Sequence, residues 1–277
     1  MTGTGEGKRS GRAMHDAGQR VQSLALHDVM SGPPRHRAVT AWGPASALLA
    51  LVAMALVIIA LQVLVFWLAT KLLGVEEFNA QIVGTGLEAP LMLISTMLTQ
   101  VPLIAMVWLA ANRGGLRAET LQFAQPPLGW GASILAGLGL AAVLAGLLAV
   151  MHLLVPGYSV LQDTRSFVSG LQSPLWWGTV LAIGVLAPIS EELAFRGYLL
   201  TALAKSRLGI IGAGLVANVL WAAPHFQYSA AGLVTVFSGG LLLTWLVWRT
   251  GSIRAAIVAH MVANCVLLAY LASVAPA

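Results

Sequence analysis

An all-α, polytopic bundle of about seven transmembrane spans, or eight, is what this 277-residue sequence predicts. Three observations predict it. Only 9% of residues are charged, against roughly 25% in ordinary globular proteins. Apolar residues make up 58% of the chain, and they gather in stretches close to the about 20 residues that a span needs. The lysines and arginines between those stretches sort to one side of the membrane.

Residues 1–40 come first and are polar and basic, with Lys8, Arg9, Arg12, Arg20, Arg35 and Arg37 against Glu6, Asp16 and Asp28. They hold no apolar run suited to a signal-peptide core, so a retained cytoplasmic tail is expected. Their shortage of apolar surface predicts disorder. Positive residues ahead of a first span set orientation, so the net charge of +5 is read as topology and no nucleic-acid partner is expected. Spans follow at about 43–70, 90–111, 130–155, 175–202, 209–224, 230–248 and 254–274, the fifth being short and closed by Pro224. Trp42, Trp108, Trp130, Trp176, Trp177 and Trp248 fall near their ends, where amphipathic rings favour the headgroup level.

With the N-terminus in the cytoplasm, Arg113, Arg117, Lys205, Arg207, Arg249 and Arg254 all lie inside. Lys71 with Glu76, Glu77 and Glu88, and Asp163 with Arg165, lie outside. This is the positive-inside pattern of an integral membrane protein. No inverted repeat is visible, which disfavours a transporter. Residues 41–174 read as transmembrane helices without a recognised motif, and residues 175–274 as the remaining spans.

Of the ten acidic residues, all but Glu191 and Glu192 fall in the tail or in loops. A charge at a span centre costs roughly 2.5–3.5 kcal/mol on insertion scales, so such residues need partners and commonly mark function. Glu192 and Arg196 are four apart on one helix face and can pair. Glu191 points about 100° away and is left out of that pair. The plainer alternative is that all three form a structural charge network.

Two further sets lie in the spans that follow. Trp221 precedes His225 by four residues, beside the helix-breaking Pro224, and His260 and Asn264 share a face of the last span. Asn218 reads as structural. A carboxylate can take a proton from water while a histidine orients it. A second histidine and an amide can stabilise an oxyanion. Together these suffice for peptide-bond hydrolysis without a covalent intermediate.

Other chemistries fit less well. No HExxH motif is present, although Glu191, His225 and His260 offer a zinc set as an alternative. Cys265 is the sole cysteine and sits in an apolar helix, where thiols are commonly inert. Ser190 and Ser238 read as helix-packing serines.

The three motifs, EExxxR (Glu191, Glu192, Arg196), an aromatic-x-x-x-His (Trp221, His225) and HxxxN (His260, Asn264), resemble the CAAX protease and bacteriocin-processing family, the type II CAAX prenyl endopeptidase or Abi group. "FRGYLLTAL" and "SGGLLLTWLVWRTGSIRAAIVAHMVANCVLL" extend the likeness over about residues 175–270. The resemblance implies an active site sunk in a helical membrane core. It implies that Glu191 and His225 activate water, that His260 and Asn264 form the oxyanion site, and that Arg196 steadies the acidic pair. No cofactor is favoured, with zinc the alternative. Trp221 stands where many members carry Phe, a change expected to affect only local pocket shape.

Family members process prenylated proteins, peptide pheromones or bacteriocins, so the expected partners are lipid and a membrane-associated protein or peptide substrate. A bacterial plasma membrane is the expected location, which disfavours prenylated substrates. A non-catalytic scaffold or bacteriocin immunity protein is the alternative function. Alternating spans leave one geometric demand. His225 belongs near the outer end of its segment, whereas His260 is only six residues past Arg254. For the two to meet, either the fifth segment is broken and deeply placed or Gly197–Ser206 lies along the interface.

Overall fold

The computed structural model describes residues 26–73 and 88–274. The disorder expected of residues 1–25 and the acidic loop at Glu76 and Glu77 lie outside the described residues. The helices are α1 (Leu26–Ser31), α2 (Pro44–Leu73), α3 (Glu88–Ala111), α4 (Arg117–Thr120), α5 (Gly129–Leu154), α6 (Val160–Asp163), α7 (Arg165–Gln172), α8 (Trp176–Leu203), α9 (Gly209–Ala222), α10 (Ala230–Thr250) and α11 (Ile253–Val274). No strand occurs among the described residues beyond one isolated bridge between Phe123 and Ser252.

Six of these helices (α2, α3, α5, α8, α10 and α11) are long and apolar enough to cross a membrane, and Gly209–His225 is apolar but shorter. The seven expected segments are thus all present. The fifth differs because its α-helical part is 14 residues, about 21 Å of rise against about 30 Å of hydrocarbon.

Burial ranks the helices. In α8 56% of the apolar window is buried, against 17% in α2 and 11% in each of α3 and α5. Helix α8 is therefore the axle of the bundle. Its Leu193, Ala194, Tyr198, Leu199 and Leu200 form the centre of the hydrophobic core. The outer helices turn Leu49, Leu56, Ile59, Val63 and Leu135 outward, as a lipid-facing surface requires. Helix α8 is not uniform: Val180–Leu186 and Glu192–Leu199 are wound with wide i→i+5 turns. Such turns in a helix are frequent at functional sites, and Glu191 ends the α-helical stretch between them. Close packing of α5 on α11 depends on Gly137, where a Cβ would stand 2.7 Å from the Ala259 carbonyl oxygen and from Val262.

The expected disorder does not extend over residues 26–40. Arg249 Nη2 donates to the carbonyls of Val29 and of Gly32 (2.8 Å for the latter). The Arg35 and His36 amides both donate to the Trp248 carbonyl (3.2 Å each). Gln122 bonds the Arg37 amide and carbonyl, and Lys205 Nζ donates to the carbonyls of Thr40 (2.8 Å) and Trp42 (3.0 Å). The segment is held because the end of α10 and the loop after α8 leave polar groups that need partners.

His36 is the titrating member of this strap. Its Nε2 lies 3.3 Å from Thr201 Oγ1, and burial pushes its ring down to about 4. The unfolded ring titrates near 6.5, so the docked ring is neutral at pH 7. Stability from docking is full above about 6.5 and is lost as pH falls from there toward 4. Hydrogen exchange at residues 35–42, corrected for intrinsic rate, should therefore quicken between pH 7 and pH 5. His36→Gln should remove that dependence.

Candidate active site

The middle of α8 carries both glutamates, and they face different partners. Glu192 is 0% exposed and Arg196 1%. Arg196 Nη1 donates to Glu192 Oε1 (3.1 Å), and the same oxygen lies 2.9 Å from His260 Nδ1. Arg196 Nη2 donates to Asn218 Oδ1 and to the Gly240 carbonyl, both at 3.3 Å. Asn218 Nδ2 in turn donates to the Phe237 carbonyl (2.8 Å). One buried ion pair thus ties α8, α9, α10 and α11 together. Gly240 makes this possible, since a Cβ there would fall on Asn218 Oδ1 and on the Trp221 ring.

Glu191 stands outside this pair. It is half-buried, and its Oε2 accepts from the indole Nε1 of Trp221 (2.7 Å). The Trp221 ring is the meeting point of the site. Arg196 Cζ sits 4.1 Å from its centre, the His225 ring is 5.6 Å away and tilted, and the His260 ring is 6.0 Å away edge-on. His225 also packs on Tyr228 (5.3 Å). Its Nδ1 is buried without a hydrogen-bond partner among the described residues.

The depth problem resolves through the short fifth segment. Helix α8 continues to Leu203 rather than lying along the interface, with Glu191 twelve residues before that end. Trp221 stands twelve residues after the start of α9. The carboxylate and the indole N–H arrive at the same level, as their 2.7 Å bond shows. Ala223–His225 then tightens into a 3₁₀ turn, which brings the His225 ring back beside Trp221.

Glu191, His225 and His260 are thus assembled around one aromatic ring, with Glu192 and Arg196 behind them. Asn264, one turn after His260 on α11, reaches back to α8. Its Nδ2 donates to the Ile183 carbonyl (2.9 Å), about two turns before Glu191 on α8. Its Oδ1 and second N–H are not used in that bond. Sequence reasoning missed two links: the Trp221–Glu191 bond and the Glu192–His260 bond. The first had a signal, the indole N–H donor of Trp221 four residues before His225. The second joins residues 68 apart, for which no local pattern exists.

The turn bearing His225 is held from outside the motifs. Asp163 accepts from the Ser229 amide and from its hydroxyl, both at 2.8 Å. Ser229 also caps α10 by accepting from the Gly232 amide (3.1 Å). Burial, with help from Glu191 and Asp163, pushes the Tyr228 phenol above its ordinary range, so that hydroxyl stays protonated. Charge-assisted hydrogen bonds are the stronger class. Asp163→Ala should speed exchange at residues 225–230 by roughly tenfold while leaving the amides of α8 protected, as hydrogen-exchange mass spectrometry would read.

Among the described residues, no group of three or more His, Cys, Asp or Glu side chains is set to hold a metal ion. In the Glu191, His225 and His260 set, one Glu191 oxygen is taken by Trp221 and His260 Nδ1 faces Glu192. Those bonds leave Glu191 Oε1 and His260 Nε2 outside them.

Residues 173–266 match the family described as type II CAAX prenyl endopeptidase Rce1-like. The matched stretch is about a third of the chain. It contains every residue of the constellation, from Glu191 to Asn264, and it covers α8 to most of α11. The family is one of CAAX endopeptidases, and with six membrane-length helices the chain is an integral membrane protein. No curated protein and no solved structure matches the chain.

Proposed function

We propose that this protein is an intramembrane endopeptidase that hydrolyses a peptide bond of a membrane-associated protein or peptide with a glutamate-activated water. The observation that carries this reading is the state of Glu191. It is the acidic side chain of α8 left outside the buried ion pair, held by one oxygen to the indole on which two histidine rings pack. Its free Oε1 accepts a proton from water, whose oxygen attacks the scissile carbonyl carbon. His225, with an uncommitted Nδ1, orients that water.

The carbonyl oxygen gains the negative charge, and His260 and Asn264 meet it. With Nδ1 facing Glu192, His260 presents Nε2, which donates when the ring is an imidazolium. Asn264 has one amide N–H beyond its bond to Ile183. Collapse of the intermediate breaks the C–N bond, and the proton on Glu191 passes to the leaving amine. The end bearing Arg113, Arg117, Lys205, Arg207, Arg249 and Arg254 is taken as the cytoplasmic one, in a bacterial plasma membrane.

The test compares protein termini in membranes from cells with wild-type and Glu191→Gln protein. New termini present in the wild type should vanish in the variant at equal protein level, and a chelator added to wild-type membranes should leave them in place. Identical termini in both would overturn the hydrolase reading. Loss on chelation with recovery by zinc would replace the metal-free mechanism with the zinc-dependent one.

A further inference from the structure

We infer that Trp221 is a positioning residue for Glu191, acting through its indole N–H, in a way that a phenylalanine at the same place would not. The inference rests on the hydrolase reading for its consequence, but its geometry stands alone. An indole has one donor and no acceptor, and here that donor goes to Glu191 Oε2 at 2.7 Å. The bond has the length of a charge-assisted one.

The indole is itself immobilised. Trp221 is 6% exposed. Arg196 lies over one part of the ring at 4.1 Å, the backbone of α10 approaches closely at Gly240, and His260 and His225 touch it from two sides. A ring fixed by four neighbours holds its N–H in one direction, and so holds the carboxylate in one orientation. Oε2 becomes the anchored oxygen and Oε1 the one left for water. A phenylalanine could keep much of the packing with His225, His260 and Arg196 while leaving the carboxylate without its anchor.

A further consequence concerns the ion pair next door. Glu191 lies one residue from Glu192, and the Arg196 guanidinium is within reach of both carboxylates by electrostatics. Nonetheless Arg196 bonds Glu192, Asn218 and Gly240, and Glu191 bonds the indole. Trp221 is a donor to the base and an aromatic face to the cation. Helix geometry already turns Glu191 away from the Arg196 pair, and the indole supplies the donor on the side it faces.

The test places 3-benzothienylalanine at position 221, which keeps the ring shape and replaces N–H by sulfur, alongside Trp221→Phe and 5-fluorotryptophan, which keeps the N–H. The first readout needs no activity. The infrared carboxylate band assigned by subtracting Glu191→Gln from wild type should shift with benzothienylalanine and hold with fluorotryptophan. The second uses a synthetic peptide spanning the junction found in the terminus comparison. There kcat should fall roughly 10- to 100-fold for benzothienylalanine and Trp221→Phe, with KM unchanged and fluorotryptophan near wild type. An unmoved band, or a shifted band with kcat intact, overturns the positioning role. A shifted band in a protein that yields no Glu191-dependent termini would instead refute the hydrolase reading and leave the bond itself established.

Discussion

Arg196→Leu is expected to lower stability by about 3–5 kcal/mol, a loss on the scale of a whole domain's margin. The reason is what it leaves behind. Glu192 is fully buried, and Arg196 is its cationic partner on α8. Removing the guanidinium strands a carboxylate in a low-dielectric core and frees Asn218 Oδ1 and the Gly240 carbonyl at the same time. The double variant Arg196→Met/Glu192→Gln removes both charges and should be markedly less destabilised than Arg196→Leu alone. Denaturant titration in mixed micelles would measure both. A single variant within about 1 kcal/mol of wild type would show that the pair does not hold the four helices together.

Adjacent glutamates should respond in opposite ways. Glu191→Gln should keep wild-type stability within about 0.5 kcal/mol, because the residue is half-buried and its amide can still accept from Trp221 Nε1. It should lose about 10²–10⁴-fold in cleavage, the usual share of a general base. Glu192→Gln should lose stability first, since Arg196 then becomes the unpaired buried charge and the oxygen shared by Arg196 and His260 loses its negative charge. Unfolding curves and cleavage rates on the two purified variants separate the roles. Equal loss of both properties in both variants would mean that the two carboxylates act as one unit.

The extent to which this was legible in the sequence follows from the range of each interaction. Span positions came out to within a few residues because the length of an apolar run is a local property. The Glu192–Arg196 pair was legible because i,i+4 spacing on a helix is geometry. The separation of Glu191 from that pair was legible for the same reason. The bonds that turn these residues into a site cross between helices: Trp221 to Glu191 over 30 positions and His260 to Glu192 over 68. Their formation depends on the depth of α9, and depth is set by how far a short helix rises, which no motif encodes. The docking of residues 26–42 was missed because a polar, basic segment reads as solvated, while its partners are backbone carbonyls and side chains at distant helix ends.

That docking has a consequence for the order of events during synthesis. The carbonyl of Gly32 meets Arg249, 217 positions later, and Thr40 meets Lys205, 165 positions later. At about 5–20 residues per second, Gly32 waits roughly 10–40 s after it is made before its partner leaves the ribosome. Until then α2 enters the bilayer with its preceding segment unsecured. A segment made ahead of every span is therefore among the last to settle, since its partners stand after α8 and at the end of α10. The strap is a late closure, a seal set on a bundle whose reactive half is already assembled.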